Sequence, residues 1–162
     1  EDLNDVSGSM MYVKGAWTLH MLREMIGVDA YTQGVRSYYA EFKNSNVSTA
    51  DFRWHMEYAS GRDLEWYFDQ WVFQGGIPSL TGSWSFESGE LVIDIRQVQE
   101  TYDFDLMVDF EVQFADGTSE VITLAVGSDE TVQEAKSFEQ EVVAVVIDPN
   151  TRLLAKWTFS KE

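Results

Sequence analysis

The chain holds two histidines, His20 and His55, and no cysteine, so a hydrolytic metal centre built within it would rely on imidazole and carboxylate. Such a centre needs about three protein ligands, with one coordination position left open for water. Neither histidine opens the H-E-x-x-H pattern with which one helix face presents two imidazoles to zinc. His20 is followed by Met21-Leu22-Arg23-Glu24, and His55 by Met56-Glu57-Tyr58-Ala59. His20 and Glu24 share a helix face at i, i+4, which yields no more than an adventitious two-ligand contact. Both histidines read as ordinary helix residues. Other catalytic constellations are missing as well: there is no cysteine nucleophile and no G-x-S-x-G elbow. Gly75-Gly76 runs into Ile77-Pro78 rather than into a helix, so it forms no phosphate cradle. Nothing in the spacing of the 28 acidic residues singles out a pair for glycoside chemistry.

Composition narrows the remaining classes. The 162 residues, 44% of them hydrophobic, suffice for one medium domain or two small ones with real cores. A net charge of −17 with 11 scattered basic residues argues against nucleic acid, because phosphate binding needs clustered lysine and arginine. No run approaches the ~20 apolar residues of a membrane-spanning helix. The segment Glu1-Asp2-Leu3-Asn4-Asp5 has no basic region leading into an apolar one, so no targeting signal is read there. Without cysteine, packing must supply stability, and the bacterial periplasm and the cytoplasm are equally compatible with the chain. The acidic excess is uneven: residues 77–162 carry 17 acidic against 5 basic side chains, residues 1–76 only 11 against 6. It reads as a solvated acidic surface.

Two periodicities must position whatever chemistry there is. Residues 10–73 carry a helical period and residues 80–159 a period of two, with the boundary at Gly75-Gly76-Ile77-Pro78. The reading is therefore α+β: a helical part at 1–76 with about four helices, then a small antiparallel β-sandwich of about seven strands at 77–162. The first helix is expected over about Met11–Ile26, stopped by Gly27 in a left-handed conformation. Asp29 is expected to cap a second helix that ends near Phe42, ahead of the polar loop Lys43-Asn44-Ser45-Asn46. Ser48 or Thr49 should cap a third, with Phe52, Met56 and Ala59 on one face and Gly61 as its stop. Asp63 should cap a fourth from Leu64 to about Phe73. Between Phe104 and Phe114 the even positions are apolar and the odd ones mostly acidic, the pattern of a half-buried strand, and Asp116-Gly117 turns it into a hairpin with Val121–Val126. Further strands are expected near Leu80–Phe86, Leu91–Val98, Thr131–Phe138, Val142–Ile147 and Leu153–Phe159. The aromatic set Trp54, Trp66, Tyr67, Phe68 and Trp71 has helical spacing and is read as core rather than as a ligand cage.

Against this background the segment Met11-Tyr12-Val13-Lys14-Gly15-Ala16-Trp17 resembles the Tyr-x-Lys-Gly-Ala segment of the aminopeptidase N family of gluzincin zinc metallopeptidases. The likeness continues in order and spacing through Leu19-His20-Met21-Leu22-Arg23 and Gly27, Tyr38-Tyr39 and Phe42, and Thr49-Ala50-Asp51-Phe52. It goes on through Ser60-Gly61-Arg62-Asp63-Leu64 and Phe68-Asp69-Gln70-Trp71, closing at Gly76-Ile77-Pro78. Ile95-Arg96-Gln97-Val98-Gln99 and Val146-Ile147-Asp148-Pro149-Asn150 are similar to the small sandwich of that family, and the likeness weakens between about Glu100 and Gln140.

The resemblance implies that residues 1–76 are the late helices of a thermolysin-like catalytic domain and residues 77–162 the β-sandwich that follows it. It implies a hydrolase, a metallopeptidase that removes single residues from peptide N-termini, with Zn2+ as cofactor of the full-length parent. The H-E-x-x-H helix is expected upstream, so this chain is expected to be a fragment that binds no zinc and is inactive alone. Its partners are then peptide substrates and the upstream catalytic and N-terminal domains of the same polypeptide. One site residue transfers: Tyr12, whose hydroxyl in the family donates to the tetrahedral oxyanion. A phenol suits that role because it remains a neutral donor at pH 7. Lys14 is expected to bind a carbonyl or form an ion pair, and Gly15 to permit close helix approach. A non-catalytic relative that uses the same scaffold to bind partners is the alternative, and an independent ligand-binding role for the β half is a third reading.

Overall fold

A computed structural model describes residues 9–100, 102–127 and 131–162, and the chain divides into two compact units, Glu1–Gly75 and Gly76–Glu162. The first unit is helical. Helix α1 spans Ser9–Ile26, α2 Val28–Phe42, α3 Thr49–Ser60 and α4 Glu65–Phe68, and α4 runs on into a single π-helical turn, Asp69–Phe73. Met21, Leu22 and Ile26 of α1 bury against a core that also contains Met56, Leu64, Tyr67, Phe68 and Trp71. These residues recur at the three- and four-residue spacings that put side chains on one helix face.

The ends of the helices follow local chemistry, with two exceptions at N-termini. Ser48 and Asp51 form a reciprocal capping box on α3, and Gly61 closes that helix at φ 67°, ψ 17°. At the start of α2 the expectation of an Asp29 cap is not met. Gly27 takes φ 88°, ψ 151° and serves both as the end of α1 and as the N-cap of α2, leaving Asp29 inside the first turn. That is not the left-handed helical conformation expected at Gly27, but its positive φ is still open to glycine and strained for other residues, so a single residue separates the two helices without a polar cap. Nor is Asp63 the cap of α4: the helix starts at Glu65 with Leu64 as its N-cap, while just before it the Asp63 carboxylate accepts from the Glu65 N–H at 2.9 Å and the Glu57 carboxylate from the Leu64 N–H at 3.0 Å. The π-helical turn, where the Gln74 N–H reaches back to the Asp69 carbonyl at 3.1 Å, replaces the uniform α-helix expected up to Phe73.

The second unit contains seven strands: β1 Ser79–Glu87, β2 Glu90–Gln97, β3 Leu106–Phe114, β4 Ser119–Val126, β5 Val132–Ser137, β6 Val142–Ile147 and β7 Lys156–Lys161. They form a four-stranded sheet in the order β5-β2-β1-β7 and a three-stranded sheet in the order β4-β3-β6. Alternation along β3 buries Leu106, Val108, Phe110, Val112 and Phe114, which meet the buried Leu80, Trp84, Leu91, Ile93 and Ile95 of the other sheet. The Phe110 and Phe159 rings approach to 5.3 Å within this core. Most pairings are antiparallel. β7, however, lies parallel to β1, with Ser79 opposite Lys156 and Trp84 opposite Lys161. No helix among the described residues is long and apolar enough to cross a membrane.

Candidate functional site

Of the residues weighed for chemistry, Tyr12, Lys14, Gly15, His20 and Glu24 lie on α1 and His55 on α3. One turn of an α-helix takes 3.6 residues, so Tyr12 and Lys14, two residues apart, project about 200° from one another. Lys14 turns toward the rest of the helical unit and Tyr12 away from it, where the phenol is 73% exposed. The same open side carries Gly15, Ala16 and Leu19, all exposed. A Cβ built on Gly15 would meet nothing within 4 Å. The close helix approach expected there occurs instead at Gly34, where a Cβ would lie 2.8 Å from the Met56 sulfur, 2.9 Å from its methyl and 3.2 Å from the His55 carbonyl.

The inner side of α1 is held at three levels by the segment from Gly61 to Gln74. The Lys14 ammonium donates to the Gln74 carbonyl at 2.7 Å, the carbonyl-binding one of the two roles expected for it. Burial pulls the pKa of this lysine below its ordinary value. One turn further on, the Thr18 hydroxyl donates to the Lys14 carbonyl at 2.9 Å, and the buried Tyr67 hydroxyl donates to the Thr18 carbonyl at 2.6 Å. Desolvation holds the Tyr67 pKa far above the ordinary tyrosine range. At the far end, the Arg62 guanidinium donates to the Met25 carbonyl at 2.9 Å, satisfying one of the carbonyls a helix C-terminus leaves open. Thr18 and Gln74 carried no signal in the sequence, and Arg62 stood out only within the family segment Ser60–Leu64. Tyr67 did, since a tyrosine rather than a phenylalanine in a buried helical stripe implies a partner for its hydroxyl.

The histidines are engaged in packing. The His20 ring packs edge-on to Trp17 at 5.4 Å, and Glu24 pairs with Arg23 at 2.8 Å. His55 is buried, ringed by Tyr38, Phe42 and Trp54 in edge-on contacts. The Ser37 hydroxyl donates to the Gly34 carbonyl at 3.0 Å, so its oxygen accepts from His55 Nδ1 at 2.8 Å. His55 Nε2 makes no hydrogen bond and faces the Glu41 carboxylate at 3.4 Å. Among the described residues, no three His, Asp or Glu side chains converge where they could hold a metal ion. Of the aromatic set, Tyr67, Phe68 and Trp71 are core as expected. Trp54 and Trp66 are about half exposed, and Trp54 stacks on Tyr58 along the surface of α3. Helical spacing was common to all five, and only tertiary packing separates them.

Comparisons with known proteins bear on this geometry. Residues 1–71 match the model of the peptidase family M1 domain. The chain is 30% identical over 82 residues to aminopeptidase N of Lactococcus lactis subsp. lactis, covering 50% of this chain and 10% of that protein. It is 33% identical over 82 residues to glutamyl aminopeptidase of Rattus norvegicus, covering 51% and 9%. Against aminopeptidase 2, mitochondrial, of Saccharomyces cerevisiae it is 30% identical over 97 residues, covering 60% and 10%. The chain thus spans about a tenth of the length of these curated relatives. The fold is shared with the crystal structure of Legionella pneumophila aminopeptidase A in complex with aspartic acid. There the TM-score is 0.74 at 14% identity, over 97% of this chain and 19% of that one.

Proposed function

From the match of residues 1–71 to the peptidase family M1 domain, we propose that this chain is part of an M1 aminopeptidase in which Tyr12 donates a hydrogen bond to the oxyanion formed during hydrolysis of a peptide's N-terminal bond. The observation that carries the reading is the placement of Tyr12. It projects from the free side of α1, opposite the anchored Lys14, with its phenol exposed where a ligand can reach it.

A donor aimed at developing negative charge strengthens its bond as the carbonyl becomes tetrahedral, so it lowers the barrier rather than merely binding substrate. Removing one such donor typically costs ~3 kcal/mol, or roughly 100-fold in kcat. In this reading the full-length protein is a zinc aminopeptidase and peptides are its substrates. In this reading Glu24 and His55 serve surface pairing and packing rather than zinc, in keeping with the Glu24–Arg23 pair and the aromatic rings around His55. The metal and the water-activating carboxylate are assigned to other parts of a longer polypeptide, and the 162-residue chain by itself is expected to be inactive.

The test is hydrolysis of an alanyl or leucyl anilide by the full-length protein, with and without chelator, comparing wild type with Tyr12→Phe. A chelator-sensitive activity that falls ~100-fold in kcat with KM little changed supports the reading. Undiminished turnover by Tyr12→Phe returns the residue to a packing role. Absence of any chelator-sensitive activity favours a partner-binding scaffold, and robust turnover by the 162-residue chain alone refutes the division of labour.

A further inference from the structure

We infer that Lys14, acting with Thr18 and Tyr67, is the positioning group that fixes the direction of the Tyr12 hydroxyl, an inference that rests on the oxyanion-donor reading above. Tyr12 and Lys14 share helix α1, two residues apart and about 200° around its axis, so backbone that is fixed for one is fixed for the other. The phenol's direction is therefore set by what holds the turn carrying Lys14.

That turn is gripped by Tyr67 and Gln74. The Lys14 ammonium reaches the Gln74 carbonyl, the Thr18 hydroxyl reaches the Lys14 carbonyl, and the Tyr67 hydroxyl reaches the Thr18 carbonyl. The three bonds form a continuous run from the end of the π-helical turn, along the inner side of α1, to the buried ring of Tyr67. The π-helical turn contributes directly. Its wider i→i+5 closure, seen in the Gln74 N–H to Asp69 carbonyl bond, sets where the Gln74 carbonyl faces. An α-helical turn there would rotate each following carbonyl by about 100°. Fixing the azimuth of Lys14 fixes Tyr12 on the opposite side. Because Tyr12 packs against little itself, its direction depends on this anchor.

The test uses the full-length protein and the anilide assay. Lys14→Met removes the ammonium and keeps much of the side-chain length; the expected result is a fall in kcat of ~10-fold with KM within about twofold. Lys14→Arg retains a cationic donor and is expected to restore most of the loss. In a Tyr12→Phe background the Lys14→Met change is expected to cost less than about twofold more, because two residues that act through one hydroxyl are not additive. Tyr67→Phe deletes the bond to the Thr18 carbonyl while keeping the ring, and it serves as the second variant should Lys14→Met fold poorly; a loss of ~3-fold with the same non-additivity is expected. Fully additive losses alongside an impaired Tyr12→Phe enzyme overturn the positioning role and leave the oxyanion reading standing. A Lys14→Met enzyme with unchanged kcat does the same. A fully active Tyr12→Phe enzyme overturns both.

Discussion

Two glycines at interior positions of helices give a sharp test of the packing described here. Gly15 and Gly34 both lie within helices, so replacing either by alanine gains the same intrinsic helix term, about 1 kcal/mol. Their surroundings differ completely. The Gly15 Cβ enters open space, whereas the Gly34 Cβ arrives 2.8 Å from the Met56 sulfur and 3.2 Å from the His55 carbonyl. Met56 is fully buried, so its tail has no free volume to retreat into, and a backbone carbonyl yields less readily still. Overpacking of this kind costs about 1–3 kcal/mol. The intrinsic term cancels between the two variants, so they should differ by about 2 kcal/mol, with Gly15→Ala stabilised by up to about 1 kcal/mol and Gly34→Ala destabilised by a similar amount. Urea unfolding of the 162-residue chain followed by far-UV circular dichroism reads the helical unit. The midpoints should move in opposite directions at constant slope. If both variants are stabilised equally, α2 and α3 do not approach at Gly34 as described. A destabilised Gly15→Ala would mean that the outer side of α1 is covered.

Two further outcomes follow from buried polar groups. The Tyr67 pKa is raised in the folded chain, chiefly by desolvation, so the neutral phenol is favoured by folding; its contribution is complete below the ordinary tyrosine value of 10.0 and is lost as pH rises beyond it. Alkaline titration of stability should therefore fall more steeply above about pH 10 in wild type than in Tyr67→Phe. In the β unit, the buried Asp148 carboxylate accepts from the Arg152 and Leu153 N–H groups at 2.8 and 3.1 Å, and the residue itself has φ 46°. Asp148→Ala should cost about 2–3 kcal/mol by stranding those donors, whereas Asp148→Asn, which keeps an acceptor oxygen and tolerates that backbone, should recover more than half in thermal denaturation.

Legibility in the sequence tracked how local each cause is. The cap at Ser48, one of the two residues the sequence offers, the stop at Gly61 and the alternation of Leu106 to Phe114 are written within a few residues, and each appears in the structure. Gly27 was legible as a helix stop but not as a hinge that also starts α2, since the polar Asp29 offered a cap the backbone did not need. The π-helical turn was hidden because Asp69–Phe73 has ordinary helical spacing and its register is set by what the turn packs against. The parallel partnership of β7 with β1 was equally hidden, as strand direction across a sheet is decided by chain topology rather than by side-chain alternation. Lys14 was legible as a carbonyl binder or an ion-pair partner, but neither the choice between these nor its partner sixty residues away was. Tyr12 became a candidate only through family resemblance, because an exposed tyrosine near a helix start is unremarkable by composition alone.

The direction of β7 also decides how the β unit would respond to mechanical load. Its first and last strands lie side by side and point the same way, with the chain entering β1 at Ser79 and leaving β7 at Lys161. Tension carried along the backbone through this unit would drag the two strands past one another lengthwise. The ladder bonds, bounded by Lys156 N–H to the Pro78 carbonyl and Glu162 N–H to the Trp84 carbonyl, would then be loaded together rather than peeled open in turn. An antiparallel last strand would place both points of attachment at one end and open like a zipper. By setting β7 parallel, the fold makes the seam between its terminal strands a shear clamp, resistant to pulling in a way its equilibrium stability does not reveal.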